Sequence, residues 1–536
     1  MRYFNLLILW VFSCCAVVAQ NSIPRLQQLD VQHYIFNLEL SDESDLIKGE
    51  AVVRLRYLQD VEALQLDLVG PQGDGKGMSV ISVSAGGERL DFEQDGEALL
   101  IPVSDALRGD SIWSYSIRYE GIPADGLIIS QNKYGDRTFF GDNWPNRAHH
   151  WLPCVDHPSD KATVEFVVTA PDHYQVVGSG RLIEELNLSE ERTLTHWRES
   201  VPIPTKVAVI GAARFAVRQA GEVEEVPVSS WVYPDDRSRG YHDYQQALQV
   251  LAFFMEAIGP YPYEKLANVQ SKTRYGGMEN ASNIFYFENS VTGGRDHEDL
   301  IAHEVAHQWF GNSVTEGNWH HIWLSEGFAT YGANLYIEHA YGRDEMAKRL
   351  ITERQRVFQF HGRSPRPVID TTVTDWNQLL NPNSYQKGGW VLHMLRRKVG
   401  EVAFWKGLRL YYERFRDGNA LTPDFRKVME ETSGQDLEGF FDQWLYHPGY
   451  PELEIRWRHE GGLLELGLRQ VQPGIWYEFP LDIRVESPEG EMLDYRLEVG
   501  QAQQTFPLPC TFRPERIRLD PDTWLLFQAD IAPSGR

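Results

Sequence analysis

The sequence predicts a multidomain α+β protein, and three observations carry that reading. Short alternating apolar segments fill residues 27 to 215, helical spacing of apolar residues dominates the middle, and alternation returns near the end. The 536 residues fit two to four domains. The formal charge of −25 argues against nucleic acid as a partner.

Residues 1–19 stand apart. "MRYFNLLILWVFSCCAVVAQ" places Arg2 before an apolar run and small residues ending at Ala19. This predicts a secretory signal peptide, with Gln20 as the new N-terminus, because the run is too short to cross a bilayer comfortably. Export to the periplasm or outside the cell is the expectation. Cys14 after Ser13 suggests lipid anchoring as a lesser alternative, but Phe12 fits that signal poorly. No later segment has the apolar length of a membrane span. Once the signal is removed, Cys154 and Cys510 remain, far apart in the chain, so no disulfide framework is expected.

An N-terminal all-β domain is predicted over 20–216. "HYIFNLEL", "GEAVVRLRY", "ATVEFVVTA" and "KVAVIGAARFAV" read as strands between Gly, Asp and Pro clusters. A catalytic unit is predicted over 217–449. Its helices include "GYHDYQQALQVLAFFMEAIG", "LIAHEVAHQWFGN", "SEGFATYGANLYIEHAYG", "KGGWVLHMLRRKVG" and "FWKGLRLYYERF". Ser325 is a candidate helix cap, and Gly311, Gly342 and Gly400 are candidate stops. Alternation in "LEIRW", "LLELGLRQV" and "LDIRV" predicts a small C-terminal β-sandwich over 450–536.

The chemistry concentrates in "HEVAHQWFGN" at 303–312. His303 and His307 are four apart and share one helix face, so both imidazoles reach one Zn²⁺ ion. Glu304 then lies beside the ion, placed as a general base for hydrolysis. A catalytic zinc needs a third protein ligand, and Glu326 in "WLSEGFATY" is the candidate. His320 and His321 lie in an apparent loop and are read as ordinary polar residues. Upstream, "RYGGMENASNIFYF" joins Gly276 and Gly277 to Met278 and Glu279. A Gly-Gly pair lets a ligand backbone approach a strand edge, and a bare carboxylate beside an open zinc site suits a peptide α-ammonium.

In this order the motifs resemble the gluzincin zinc aminopeptidases, which include alanyl and puromycin-sensitive aminopeptidases and leukotriene hydrolase. "LPCVDHPSDKATVEFVVTAP" and "YQKGGWVLHML" extend the likeness over most of the chain. The resemblance implies a thermolysin-like catalytic domain, one Zn²⁺ per chain on His303, His307 and Glu326, and peptides with a free N-terminus as substrates. It implies that Glu304 moves the proton and Glu279 grips the amine. Gly276 and Gly277 would pair with the substrate backbone, Met278 would border the first side-chain pocket, and Tyr385 would donate to the oxyanion. A second amine anchor of the family would fall near Trp144 in "FFGDNWPNRAHHWLPC", and Asp142, the nearest carboxylate, is the candidate. Gln386 replaces a usual Glu. The sequence carries no counterpart of the large helical C-terminal domain of many relatives, so a more open site is expected. The rival readings are a lipid-epoxide hydrolase, a non-catalytic peptide-binding relative and an endopeptidase. The sequence leaves the oligomeric state open.

Overall fold

A computed structural model describes residues 24–103, 109–189 and 191–534. The signal reading at 1–19 lies outside the described residues. The first part is β throughout. An eight-stranded sheet has Leu29–Glu39 at its centre, parallel to Lys161–Pro171 and antiparallel to Ile47–Tyr57. Alternation explains the register. Val53, Leu55 and Tyr57 are buried while Arg54 and Arg56 between them are exposed. Smaller sheets of three and four strands pack alongside. "KVAVIGAARFAV" is not one strand: it holds a short 3₁₀ turn at Thr205–Val207, then the strands Ile210–Ala213 and Ala216–Val223.

The boundary at 216/217 falls on the first residues of Ala216–Val223. That strand pairs with Val226–Val232 and opens a five-stranded sheet of the catalytic unit. Leu266–Ser271 and Asn283–Phe287 continue the sheet, and the two-residue strand Gly277–Met278 forms its edge. Every residue of Leu266–Ser271 is buried, so this strand shows no alternation. Helices follow: α1 (Arg237–Tyr244), α2 (Ala247–Ala257), α3 (Glu298–His307), α4 (Trp323–Tyr341) and α5 (Arg343–His361), then α6 (Gly388–Val399), α7 (Glu401–Phe415), α8 (Thr422–Ser433) and α9 (Glu438–Phe441). The helix expected over 240–259 is split between α1 and α2, where the Gln246 side chain donates to the Asp243 carbonyl. Gly342 and Gly400 end α4 and α6 at φ of 90° and 85°, a region that favours glycine.

Two sheets of four and three strands make the C-terminal sandwich. Cys154 and Cys510 are buried and free. Among the described residues no helix is long and apolar enough to cross a membrane.

Candidate metal centre

The helix α3 ends on His307, and the chain turns back through 308–322 into α4. Glu326 is the fourth residue of α4, so the turnback brings its carboxylate over the two imidazoles. His303 Nε2 and His307 Nε2 are 3.1 Å apart, and Glu326 Oε2 lies 3.4 Å and 3.3 Å from them. A tetrahedral site with bonds of about 2.0–2.1 Å spaces its ligand atoms about 3.3–3.4 Å apart. The triangle therefore has the dimensions of three zinc ligands. Glu326 Oε2 is buried without a hydrogen-bond partner, as an oxygen reserved for a cation would be. Behind His307, Nδ1 faces the Phe310 carbonyl at 3.2 Å and Ser325 Oγ at 3.1 Å, which turns Nε2 towards the ion position. The residues present fit a zinc ion.

Electrostatics point the same way. Burial works against charge on His307, yet Glu279 and Glu326 push its imidazole up to about 9. Burial also opposes ionised Glu326, but the charge of the facing His307 and His303 imidazoles holds it well below the usual carboxylate range. A buried pocket that recruits a proton in this way is one whose field favours a cation.

Glu304 is buried and points beside the triangle. Burial pushes its carboxyl well up, His307 opposes that, and Glu279 and Glu326 add to it. Gly277 is glycine for a local reason: a Cβ there would lie 2.2 Å from Glu304 Oε1. Part of what the Gly-Gly pair provides is thus room for Glu304, besides access to the strand edge. Among the described residues the strand Gly277–Met278 pairs only with Asn283–Phe287, which leaves its other edge free, and Gly276, Gly277 and Met278 line the cavity. Glu279 is buried with Oε1 unpartnered, and its backbone carbonyl accepts from Gln308 Nε2 at 2.8 Å and Asn312 Nδ2 at 2.6 Å. Tyr385 sits on a π-helical turn, Asn383–Lys387, and stacks on His303 with ring centroids 6.0 Å apart. Burial and the neighbouring Glu326 raise its phenol well above the usual value, so it stays protonated and can donate.

These residues share a cavity of about 340 Å³ lined by Gly276, Met278, Glu279, Glu304 and Tyr385 among others. Asp142 does not line it. Its carboxylate is fully buried, paired with Arg147 Nη2 at 2.6 Å, and accepts from the Arg274 backbone at 3.1 Å. The second-anchor reading is corrected accordingly: Asp142 holds the root of the 274–279 loop. Trp144 occupies the wall instead, edge-on to Tyr275 and Trp319. Ser325 is not a cap either, because α4 begins at Trp323. His320 Nε2 donates to the Val373 carbonyl and His321 bonds Thr422, both apart from the triangle.

Sequence reasoning missed the supports: Ser325 behind His307, Gln308 and Asn312 behind Glu279, and Lys161. Lys161 Nζ reaches from the β domain to the carbonyls of Asn312, Ser313 and Gly418 at 3.0, 2.8 and 3.1 Å. Each of these residues stood inside a quoted motif, but its partner lay elsewhere in the chain.

Two helix-borne histidines four apart, a glutamate from the next helix and an adjoining β edge define a metallopeptidase centre of the gluzincin class. Comparison with known proteins then places the chain. The model of the peptidase family M1 domain matches residues 242–444, and that of the peptidase M1 N-terminal domain matches 30–207. The chain belongs to the M1 peptidase family. Human glutamyl aminopeptidase is 29% identical over 373 residues, 65% of this chain and 38% of that protein. Leucyl aminopeptidase of Saccharolobus solfataricus is 24% identical over 445 residues, 80% of this chain and 54% of that one. The chain thus spans about two fifths to half of these curated relatives. A solved structure of Legionella pneumophila aminopeptidase A in complex with aspartic acid shares the fold, with a TM-score of 0.82 at 18% identity. The match covers 95% of this chain and 60% of that one.

Proposed function

We propose that the chain is a zinc-dependent aminopeptidase that removes single residues from peptides with a free N-terminus. The observation that carries this is Glu279: a buried carboxylate with one unpartnered oxygen, beside the metal triangle and an open β edge. A substrate ammonium paired there fixes how far the peptide can advance, so the scissile bond is the first one. The edge of Gly277–Met278 pairs with the substrate backbone. Met278, Tyr275 and Trp144 give the first side chain an apolar, aromatic wall.

His303, His307 and Glu326 would hold a zinc ion, which would supply Lewis-acid chemistry to the scissile carbonyl and lower the pKa of a bound water towards 7. Glu304 takes the proton from the attacking water and returns it to the leaving amine. The Tyr385 hydroxyl donates to the oxygen that gains charge as the carbon becomes tetrahedral. The N-terminal reading at 1–19 supports export, with substrates in the periplasm or outside the cell.

Glu304→Gln tests the reading. The amide is nearly isosteric but accepts no proton, so turnover of an aminoacyl-arylamide should fall by about 10²–10⁴-fold. Bound zinc should stay at one per chain, measured by elemental analysis. An N-acetylated peptide should resist the wild-type enzyme, since capping removes the cation that Glu279 pairs with. Efficient cleavage of the acetylated peptide would overturn the exopeptidase assignment.

A further inference from the structure

The catalytic cavity does not end at the metal triangle. Its far wall carries Asp299, Thr330, Arg349, Glu353 and Arg356, and four of these also line a neighbouring hollow over α5. The floor is one face of α4. Glu326, Thr330, Ala333 and Ile337 recur at helical spacing and lead away from the ion position. Helix α5 runs antiparallel to α4, as its cross-links show: Arg343 to Glu338 at 3.0 Å, Arg349 to Asn334 at 2.9 Å, and Asn334 to Glu353 at 3.0 Å. Arg356 is one turn beyond Glu353 and therefore lies back towards Thr330. Thr330 is four residues past Glu326, a rise of about 6 Å.

The charges on this wall are not equivalent. Arg349 is committed, to Asp299 at 3.0 Å and to the Asn334 side chain. Glu353 is buried and accepts both its hydrogen bonds from Asn334. Arg356 is exposed, and among the described residues no carboxylate lies within ion-pair distance of it. The cavity is therefore bipolar. A carboxylate with one unpartnered oxygen, Glu279, marks one end. At the other end the exposed Arg356 guanidinium feels the charge of Glu353 without closing an ion pair to it, which leaves its hydrogen-bonding fork open.

We propose that Arg356 binds the C-terminal carboxylate of short peptides, which makes di- and tripeptides the favoured substrate class. The proposal rests on the aminopeptidase reading of the same site. An extended chain advances about 3.3–3.6 Å per residue, so one or two residues beyond the scissile bond bring a terminal carboxylate to the level of Thr330. A guanidinium recognises a carboxylate through two parallel hydrogen bonds, which an amide or a continuing chain cannot reproduce. A peptide whose ends meet Glu279 and Arg356 together is selected by length as well as by charge.

The experiment compares leucyl-alanine and leucyl-alanyl-alanine with their C-terminal amides, using the zinc-replete full chain and a leucyl-arylamide as reference. The wild-type enzyme should prefer the acids by about tenfold in kcat/KM, mainly through KM. In Arg356→Gln the acid-to-amide ratio should fall to about one, and Arg356→Lys should retain part of the preference. Merely structural damage would lower acid and amide together and leave the ratio intact; that result overturns the proposal. A wild-type ratio near one also overturns it, while cleavage of the arylamide would leave the aminopeptidase reading standing. Failure on every free-amine substrate, the arylamide included, overturns that reading and this one with it.

Discussion

The two β domains flank the same catalytic unit, but they touch it differently. The N-terminal domain reaches into the site. Trp144 forms a cavity wall, Asp142 pins the root of the 274–279 loop, and Lys161 and Lys206 enter the segment that leaves α3. The sandwich stays outside. Among the described residues, those lining the cavity run from Trp144 to Gln386, and none comes from the sandwich. Its contacts lie on the outer side of α5 and α6 and on the turn after α9: Arg354 with Asp520, Arg397 with Asp482, His393 donating to the Thr523 carbonyl, and Gln443 with Glu478. One ion pair from each interface shows a difference in burial as well. Lys206 and Glu316 are about 1% exposed, whereas the Arg397 side chain is 33% exposed. Burial makes a contact costly to break, so the first interface should be coupled to catalysis and the second mainly to packing.

The strongest test of that difference is Lys206→Met. It leaves Glu316 buried without its ion partner, on the strand Val314–Glu316 just beyond the metal-binding helix. The expected loss is about 3–5 kcal/mol of stability, measured by urea denaturation, with reduced zinc retention. Adding Glu316→Leu should recover much of the stability, because removing both charges also removes the unpaired one. A single variant as stable as wild type would mean that the interface admits water and is not tight.

A smaller effect is expected from Asp142→Asn. Burial pushes the Asp142 carboxyl up, and Arg147 opposes this without cancelling it, so the neutral amide replaces a carboxyl that already holds its charge at a cost. The amide can still accept from the Arg274 backbone. Stability should change by about 1 kcal/mol, and KM for a free-amine arylamide should stay within roughly twofold. A rise of about tenfold in KM, with stability unchanged, would return Asp142 to the role of amine anchor.

Asp142 also shows where sequence reading stops. His303, His307 and Glu304 were legible because helix geometry fixes their relations within five residues. Glu326 needed only the next helix. Strand alternation revealed both β domains, since each has faces that differ in solvation. Leu266–Ser271 gave no such signal, being buried on both sides. The role of Asp142 depended on which way a loop turns, and its nearest charge, Arg147, settled that locally. Lys161, Ser325 and Arg356 stayed hidden for the same reason. What each does is set by a partner, or by the absence of one, on another element. A sequence displays spacing along one helix; it does not display which carboxylate a distant arginine lacks.

The weakest perturbation belongs to the sandwich. Arg397→Ala removes a partly exposed ion pair to Asp482 of 2.7 Å and a guanidinium 5.3 Å from the Trp524 ring centre. Solvent screens the pair, and Asp482 keeps Arg496 at 2.7 Å. Stability should fall by about 0.5 kcal/mol or less by urea denaturation. The rate should not change, because Arg397 is absent from the cavity wall and the contacts of His393 and Gln443 still seat the sandwich. A clear drop in kcat, with zinc content and fold intact, would break the comparison. It would mean that α6, which follows directly from the π-helical turn bearing Tyr385, transmits the position of the sandwich to the oxyanion donor.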